Sequence, residues 1–139
     1  GLQPCIRAAS YRAYPTSEFI QRSNEETIVV LHIEGTGGVT RVEEIAQVDG
    51  IDVLFLGPYD LSQSLGIPGL VDSPLVREKM RLVIEGMRDK KVAIGTYCDD
   101  VRLAVEWRKL GVTYLTVGLD AHFLLSAARR VVAQVKEAR

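Results

Sequence analysis

The segment LFLGPYDLSQSLGIPG, residues 54–69, joins a continuous apolar run to a loop rich in glycine and proline. The apolar run stops at Gly57 and Pro58, and a carboxylate, Asp60, follows two residues later. Runs that are apolar at consecutive positions are typical of strands that are covered on both faces of a parallel sheet. The segment therefore predicts a buried parallel strand whose end presents an acidic side chain.

Three other segments have the same continuous, β-branched character. Together they predict four strands, over residues 27–34, 52–57, 92–97 and 114–119. Between and after these runs the apolar residues recur at helical spacing, in four groups: Val39, Val42, Ile45 and Ala46; Val76, Met80, Val83 and Met87; Val101, Ala104 and Val105; and Leu124, Ala127, Ala128, Val131 and Val135. The chain therefore alternates strands with helices, after a polar and partly helical segment at its start.

Helix boundaries are visible at several positions. Ser73 is placed to cap a helix whose first residue is Pro74, and Gly111 is placed to end the next one. Asp99 or Asp100 is expected to cap that second helix. Trp107 lies either on an exposed side of it or under an interface, and the spacing does not decide between these positions.

This alternation predicts an α/β protein with a parallel sheet and right-handed crossovers. Four βα units make half of a (β/α)₈ (TIM) barrel. Such a half cannot close by itself, so we expect oligomerisation or a separate N-terminal half to cover its open face and edges. A small, open, flavodoxin-like sheet is the competing architecture. We assign residues 1–139 to one domain, with an N-terminal loop and helix segment at 1–25 and the four βα units at 26–139.

Composition narrows the class of protein. The 139 residues are 47% apolar and 25% charged, with a formal net charge of -1, so no basic excess exists to bind nucleic acid. No apolar run approaches the roughly 20 residues of a membrane span. Cys5 and Cys98 lie far apart and form no metal-binding or disulfide pattern. We therefore expect a cytoplasmic protein with reduced thiols.

Two carboxylates follow the ends of the first two predicted strands. Glu34 and Asp60 should converge at one edge of the sheet, because parallel strands end on the same side. Carboxylates that lie close together repel unless a cation or a proton lies between them, and a pair of them suits Mg²⁺ or Mn²⁺. The alternative is structural: Glu34 caps the following helix, and Asp60 hydrogen-bonds in its own Ser62–Gln63 turn.

Neighbouring residues refine this prediction. Gly57 allows close approach of the backbone to a ligand, and Pro58 stiffens the turn, so the amides of Tyr59 and Asp60 can face an anionic oxygen; a plain tight turn is the alternative. His32 shares the strand face of Glu34 and either reaches the site or is a core histidine. A capping role is the simpler interpretation of Asp120, and a surface or packing role is that of His122.

The chain resembles the HpcH/HpaI aldolase family. The similarity is carried by VDGIDVLFLGPYDLSQSLGIPG (residues 48–69), by the strand-end glutamate of HIEGTGGVTRVEEIA, and by LGVTYLTVGLDAHFLLSAAR near the end. The opening PCIR resembles a degraded Pro-x-Gly-x-Arg loop of that family, with Cys5 where glycine is expected.

The resemblance implies a (β/α)₈ barrel and reversible, metal-dependent aldol cleavage of 4-hydroxy-2-oxo acids to pyruvate and an aldehyde. It implies that Glu34 and Asp60 are metal ligands, and that Gly57, Pro58, Tyr59 and Asp60 bind a pyruvate-like 2-oxo acid. The family's general-base histidine and a substrate arginine belong to the half of the barrel that these residues do not include, which leaves His32 as the candidate base. The rival interpretation is a non-catalytic half-barrel that self-associates or binds a ligand.

Overall fold

The computed structural model describes residue 3 and residues 5–138, so Pro4 of the PCIR loop lies outside the described residues. A 3-10 segment (Arg7–Arg12) and helix α1 (Thr16–Glu26) come first. The strands are β1 (Val30–Ile33), β2 (Val53–Leu56), β3 (Ala93–Cys98) and β4 (Tyr114–Val117). The other helices are α2 (Thr36–Thr40), α3 (Val42–Ile45), α4 (Pro58–Ser64), α5 (Pro74–Gly86), α6 (Val101–Leu110) and α7 (Asp120–Glu137). The predicted alternation is confirmed, although most of the strands are shorter than predicted.

The four strands form one parallel sheet in the order β1-β2-β3-β4. In a flavodoxin-like sheet the second strand lies at the edge, outside the first strand, and the third strand pairs with the other side of the first. Here every strand pairs with the next one along the chain, which is the order found in a barrel. The flavodoxin-like alternative is therefore wrong, and the fold is a parallel α/β half of a TIM-type barrel.

The core lies between the sheet and the helices on one of its faces. Leu54 and Leu56 of β2 are fully buried there. The predicted stripe of α5 packs on this layer, and all of its members are buried: Val76, Met80, Val83 and Met87. Ser73 caps α5 by accepting a hydrogen bond from the Val76 amide at 3.3 Å, as predicted.

Helix α6 turns a different face to the core from the one predicted. Val101 and Val105 are exposed, whereas Leu103, Ala104 and Trp107 are buried. The face that contains the leucine and the tryptophan removes more apolar area from water, so the helix is rotated toward those two side chains. Trp107 is thus a core residue.

The boundaries of α6 are as predicted, and those of α7 differ slightly. Asp100 caps α6 by accepting from the Leu103 amide at 2.8 Å, and Gly111 ends it with a φ of 117°. Asp120 is the first residue of α7 rather than its cap, which is Leu119. The Asp120 carboxylate accepts from the Ala121 amide at 2.7 Å.

Helix α7 follows the last strand but covers little of the sheet. Within residues 120–137, all of which the structure describes, no residue is buried. The stripe predicted for this helix is therefore exposed, including Leu124, Val131 and Val135. Even so, among the described residues no helix combines the length and apolar character that a bilayer crossing requires.

The inner face of the sheet carries a row of aromatic side chains. His32, Phe55, Gly95 and Tyr114 are register partners on the four strands. The His32 ring stacks on Phe55 with 4.8 Å between centroids, and Tyr114 meets Phe55 edge-on at 6.1 Å. A Cβ on Gly95 would lie 2.9 Å from both Phe55 and Tyr114, so the two rings occupy the space above the glycine. Val53, two residues before Phe55 on the same face, is buried as well.

Both cysteines are free, as expected. Cys5 is exposed and Cys98 is buried on β3. Burial, together with the nearby carboxylates of Asp100 and Asp99, raises the pKa of the Cys98 thiol to about 11. Cys98 is therefore protonated at neutral pH and belongs to the core.

Candidate metal-binding site at the strand ends

Glu34 and Gly57 continue β1 and β2 by one residue each. The Gly57 amide donates to the Ile33 carbonyl at 3.2 Å, which extends the strand pairing. The side chain of Glu34 lies across Gly57, because a Cβ built on that glycine would be 3.0 Å from the Glu34 Cγ. A glycine at position 57 therefore leaves room for the carboxylate of the neighbouring strand.

Asp60 lies in the first turn of α4, which begins directly after Gly57. Its side chain is exposed, and its carboxylate hydrogen-bonds to no other residue that the structure describes. The first intrahelical bond of α4 runs from the Leu61 amide to the Gly57 carbonyl at 2.9 Å. The amides of Tyr59 and Asp60 come before it, so they have no partner within the helix.

The structure shows neither of the two structural alternatives, in which Glu34 caps α2 and Asp60 hydrogen-bonds within its own turn. Helix α2 is capped at Gly35, and Glu34 makes no capping hydrogen bond. In the turn around Asp60, the Ser62 hydroxyl donates to the Tyr59 carbonyl at 2.6 Å and accepts from the Gly69 amide at 2.9 Å. Ser62, rather than Asp60, therefore organises this turn.

His32 shares the face of Glu34, as its spacing on β1 predicts. Its Nδ1 lies 2.7 Å from Oε1 of Glu34, and roughly half of the His32 side chain is exposed, 54%. The alternative of a core histidine is therefore wrong. Its ring is held by the stack on Phe55 and by the carboxylate of Glu34.

The donor atoms of this site suit a hard divalent cation. Glu34 and Asp60 offer carboxylate oxygens from neighbouring strand ends, and oxygen is the ligand that Mg²⁺ and Mn²⁺ prefer. Within residue 3 and residues 5–138, no group of three or more His, Cys, Asp or Glu side chains is close enough to hold a metal. The two carboxylates would therefore leave most coordination positions to water and substrate oxygens, as magnesium sites commonly do.

A second polar cluster joins the ends of β2 and β3. The Tyr59 hydroxyl donates to the Asp99 carboxylate, at 3.0 Å from each oxygen, and the Tyr97 ring lies 6.1 Å from that of Tyr59. Burial, with a smaller contribution from Asp99, raises the pKa of both tyrosines. Both phenols are therefore protonated donors at neutral pH.

Sequence reasoning missed this cluster. The sequence predicts Asp99 or Asp100 as the cap of α6, a role that Asp100 alone fills, and no pattern in it identifies Tyr97. The only available signal was that Tyr97 and Asp99 follow a strand end, as Glu34 and Asp60 do.

The sequence profile of the HpcH/HpaI aldolase/citrate lyase family matches residues 4–127, which is most of the chain. The chain belongs to this family. The match covers the strand ends that carry Glu34 and Asp60, as well as the GPYDLS segment between β2 and α4.

Two curated members of the HpcH/HpaI family illustrate the relationship. The hydroxypyruvate/pyruvate aldolase of Deinococcus radiodurans is 34% identical over 131 residues, which are 94% of this chain and 47% of that protein. The 4-hydroxy-2-oxo-heptane-1,7-dioate aldolase of Escherichia coli is 29% identical over 128 residues, or 92% of this chain and 48% of that protein. The chain thus spans about half the length of the curated relatives that it matches.

The solved structures agree with the sequence comparison. An HpcH/HpaI family protein from Burkholderia cenocepacia J2315 has a TM-score of 0.87 and 33% identity, covering 98% of this chain and 52% of that one. The HpcH/HpaI aldolase from Desulfitobacterium hafniense DCB-2 has a TM-score of 0.82 and 26% identity, covering 99% of this chain and 53% of that one.

The family in general depends on a divalent metal.

Proposed function

We propose that this chain carries the metal-binding and pyruvate-binding half of a carbon–carbon lyase. The reaction is the reversible aldol cleavage of a 4-hydroxy-2-oxo acid to pyruvate and an aldehyde. The observation that carries the proposal is the packing of Glu34 across Gly57, beside Asp60 in the first turn of α4. In support of the proposal, both carboxylates and the amides of Tyr59 and Asp60 follow the ends of two strands that pair in parallel.

Glu34 and Asp60 would hold Mg²⁺ or Mn²⁺. When bound, such an ion supplies Lewis-acid stabilisation of the negative charge that develops on the keto oxygen during cleavage. The backbone of Gly57, Pro58 and Tyr59 lies beside the two ligands, and the amides of Tyr59 and Asp60 point out of the start of α4. These amides are suited to the carboxylate of a pyruvate-like 2-oxo acid.

Cleavage also needs a base. The proton of the 4-hydroxyl group is removed, the bond between C3 and C4 breaks, and C3 then takes up a proton to give pyruvate. His32 is the candidate base on this chain, because its Nδ1 is bonded to Glu34 and its Nε2 is the nitrogen left for a proton. Loss of a positioned base lowers a rate by roughly 10²–10⁴-fold, which is the effect expected for His32→Gln.

The site needs a second half-barrel to exclude water from its open side. We propose that a second copy of this chain supplies it. In the part of the chain that the structure describes, β1 and β4 pair on one side only, and apolar side chains at both edges are exposed: Val29, Leu31 and Tyr114. Unpaired edges with apolar side chains favour association.

The metal assignment is tested by calorimetry on the full chain. Mn²⁺ should bind, and oxalate, a mimic of the pyruvate enolate, should bind more tightly in its presence. Asp60→Asn should abolish both effects, because it removes one of two charged ligands. The matched control is Asp49→Asn, an exposed position in the loop before β2, which should bind like the native chain.

The outcomes separate the two candidate functions. Native binding that is unchanged in Asp60→Asn would refute the metal assignment. Metal and oxalate binding by an assembled chain that does not release pyruvate from 4-hydroxy-2-oxoheptanedioate would favour the rival, a ligand-binding half-barrel without catalysis.

A further inference from the structure

Helix α2 begins at Thr36, two residues after Glu34, and its first amide is bonded by a side chain of another helix. Its own cap residue, Gly35, has no side chain that could accept a hydrogen bond from the free amides of the first turn. The hydroxyl of Ser64, at the end of α4, accepts a hydrogen bond from the Thr36 amide at 3.0 Å. The two residues are 28 positions apart in the sequence. A tertiary contact therefore satisfies an amide at the start of α2 that has no partner within the helix.

The same contact packs the turn after Glu34 against α4. The Ser64 hydroxyl also lies 3.5 Å from Oγ1 of Thr36. A Cβ built on Gly35 would lie 3.6 Å from the Ser64 Oγ, which is ordinary van der Waals distance. The backbone on either side of Gly35 thus rests on the last turn of α4.

Ser64 is four residues after Asp60 on the same helix. Residues at this spacing lie on one face of a helix, one above the other. The face that bonds to Thr36 is therefore also the face that carries Asp60. On another side of α4, the fully buried Ser62 ties the helix to the loop that follows it. Both contacts limit how α4 can rotate.

We propose that Ser64 is a positioning residue that sets the separation between Glu34 and Asp60. It joins the segment that bears one carboxylate to the helix that bears the other. This inference rests on the proposed function, in which both carboxylates hold one cation. Loss of a group that orients a metal ligand typically weakens metal affinity by about 10-fold to 100-fold, and we expect Ser64→Ala to fall in this range.

The test measures Mn²⁺ affinity and the electron paramagnetic resonance spectrum of the bound ion in the full chain. Ser64→Ala should weaken binding by about 10-fold or more and change the spectrum at saturation, with its melting temperature close to that of the native chain. Ser64→Thr keeps a hydroxyl and should restore both properties. Ser126→Ala, an exposed position on α7, is the matched control and should change neither.

A second variant removes the other partner of the hydrogen bond. Thr36→Pro deletes the donor amide at the first position of a helix, where proline is well tolerated, and the extended conformation of Gly35 suits a following proline. Thr36→Pro should reproduce the loss of Mn²⁺ affinity. If Ser64→Ala does not fold, Thr36→Pro replaces it as the test variant.

The outcomes are distinct. Native affinity in both Ser64→Ala and Thr36→Pro, with binding lost in Asp60→Asn, would overturn the inference and leave the proposed function standing. Absence of Mn²⁺ binding in the native chain would overturn the proposed function, and the inference with it.

Discussion

Gly57 follows β2 and leaves space for a side chain that follows the neighbouring strand β1. Its backbone φ is -90°, which any residue adopts, so conformational freedom does not explain the glycine. The neighbouring side chain does, because the Glu34 Cγ occupies the space that a Cβ would need. A glycine at the end of β2 therefore determines where the carboxylate at the end of β1 lies.

Gly57→Ala tests whether the position of the Glu34 carboxylate depends on the missing Cβ at residue 57. The added methyl group, 3.0 Å from the Glu34 Cγ, should displace the carboxylate and weaken Mn²⁺ binding by about 10-fold while the circular dichroism spectrum stays native. The control is Gly37→Ala, where a Cβ would meet nothing within 4 Å. Equal Mn²⁺ affinity in the two variants would show that Glu34 does not need this space.

At the scale of elements, a network of charges joins the loop after α4 to α5 and α6. Arg77 of α5 pairs with Asp72 of the loop at 2.5 Å and with Glu106 of α6. Arg102 of α6 also pairs with Asp72, at 3.3 Å, and with Glu106, at 3.2 Å. Arg77 further lies over the Trp107 ring, 5.6 Å from its centroid. This network holds the loop that Ser62 anchors at its other end.

The network makes the stability of the chain depend on pH. The hydrogen bond from Arg77 is the main cause that lowers the pKa of Asp72 below its ordinary value of 3.8. A carboxyl whose pKa is lower in the folded state stabilises the fold above its unfolded pKa, and this contribution is lost as the pH falls through the folded pKa. Asp72→Asn should therefore have a lower free energy of unfolding than the native chain at about pH 6, and the difference should shrink as the pH falls through the lowered pKa of Asp72.

Urea unfolding at several pH values measures this difference. Asp89→Asn, at an exposed position just after α5 and outside the network, is the control. A difference for Asp72→Asn that stays constant into acid would mean that the charge of Asp72 contributes nothing to the loop.

At the scale of the whole molecule, the sheet is covered on one face and open on the other. The helices bury the outer face, whereas the inner face carries the row from His32 to Tyr114. The family members that the chain matches are about twice as long as this chain. Their similarity extends over nearly the full length of this chain. The edges and open face of this sheet correspond to surfaces that a complete barrel buries.

Leu31→Glu tests whether a second copy covers these surfaces. The native chain should sediment as a dimer or a larger assembly, and a glutamate on the edge strand β1, where Leu31 is 39% exposed, should shift it toward monomer. The control is Leu82→Glu, which is 54% exposed and lies on helix α5 rather than on an edge strand. A native chain that sediments as a folded monomer at all concentrations would contradict the proposed assembly.

Much of the fold could be predicted from the sequence, because its signals are local. Continuous apolar runs marked the strands, and Ser73, Asp100 and Gly111 marked the helix ends through hydrogen bonds or backbone angles within a few residues of each. The rotation of α6 could not be predicted in the same way, since its apolar residues suit two faces and only the shape of the core selects between them.

The sequence by itself determined which residues follow each strand, and hence that Glu34 and Asp60 end neighbouring βα units. Only the tertiary structure decided the strand order, the exposure of α7 and the contacts that hold the candidate site. The bonds from Ser64 to Thr36 and from Tyr59 to Asp99 join residues 28 and 40 positions apart. No periodic pattern connects such residues, because their contact arises only when parallel strands bring their ends to one edge.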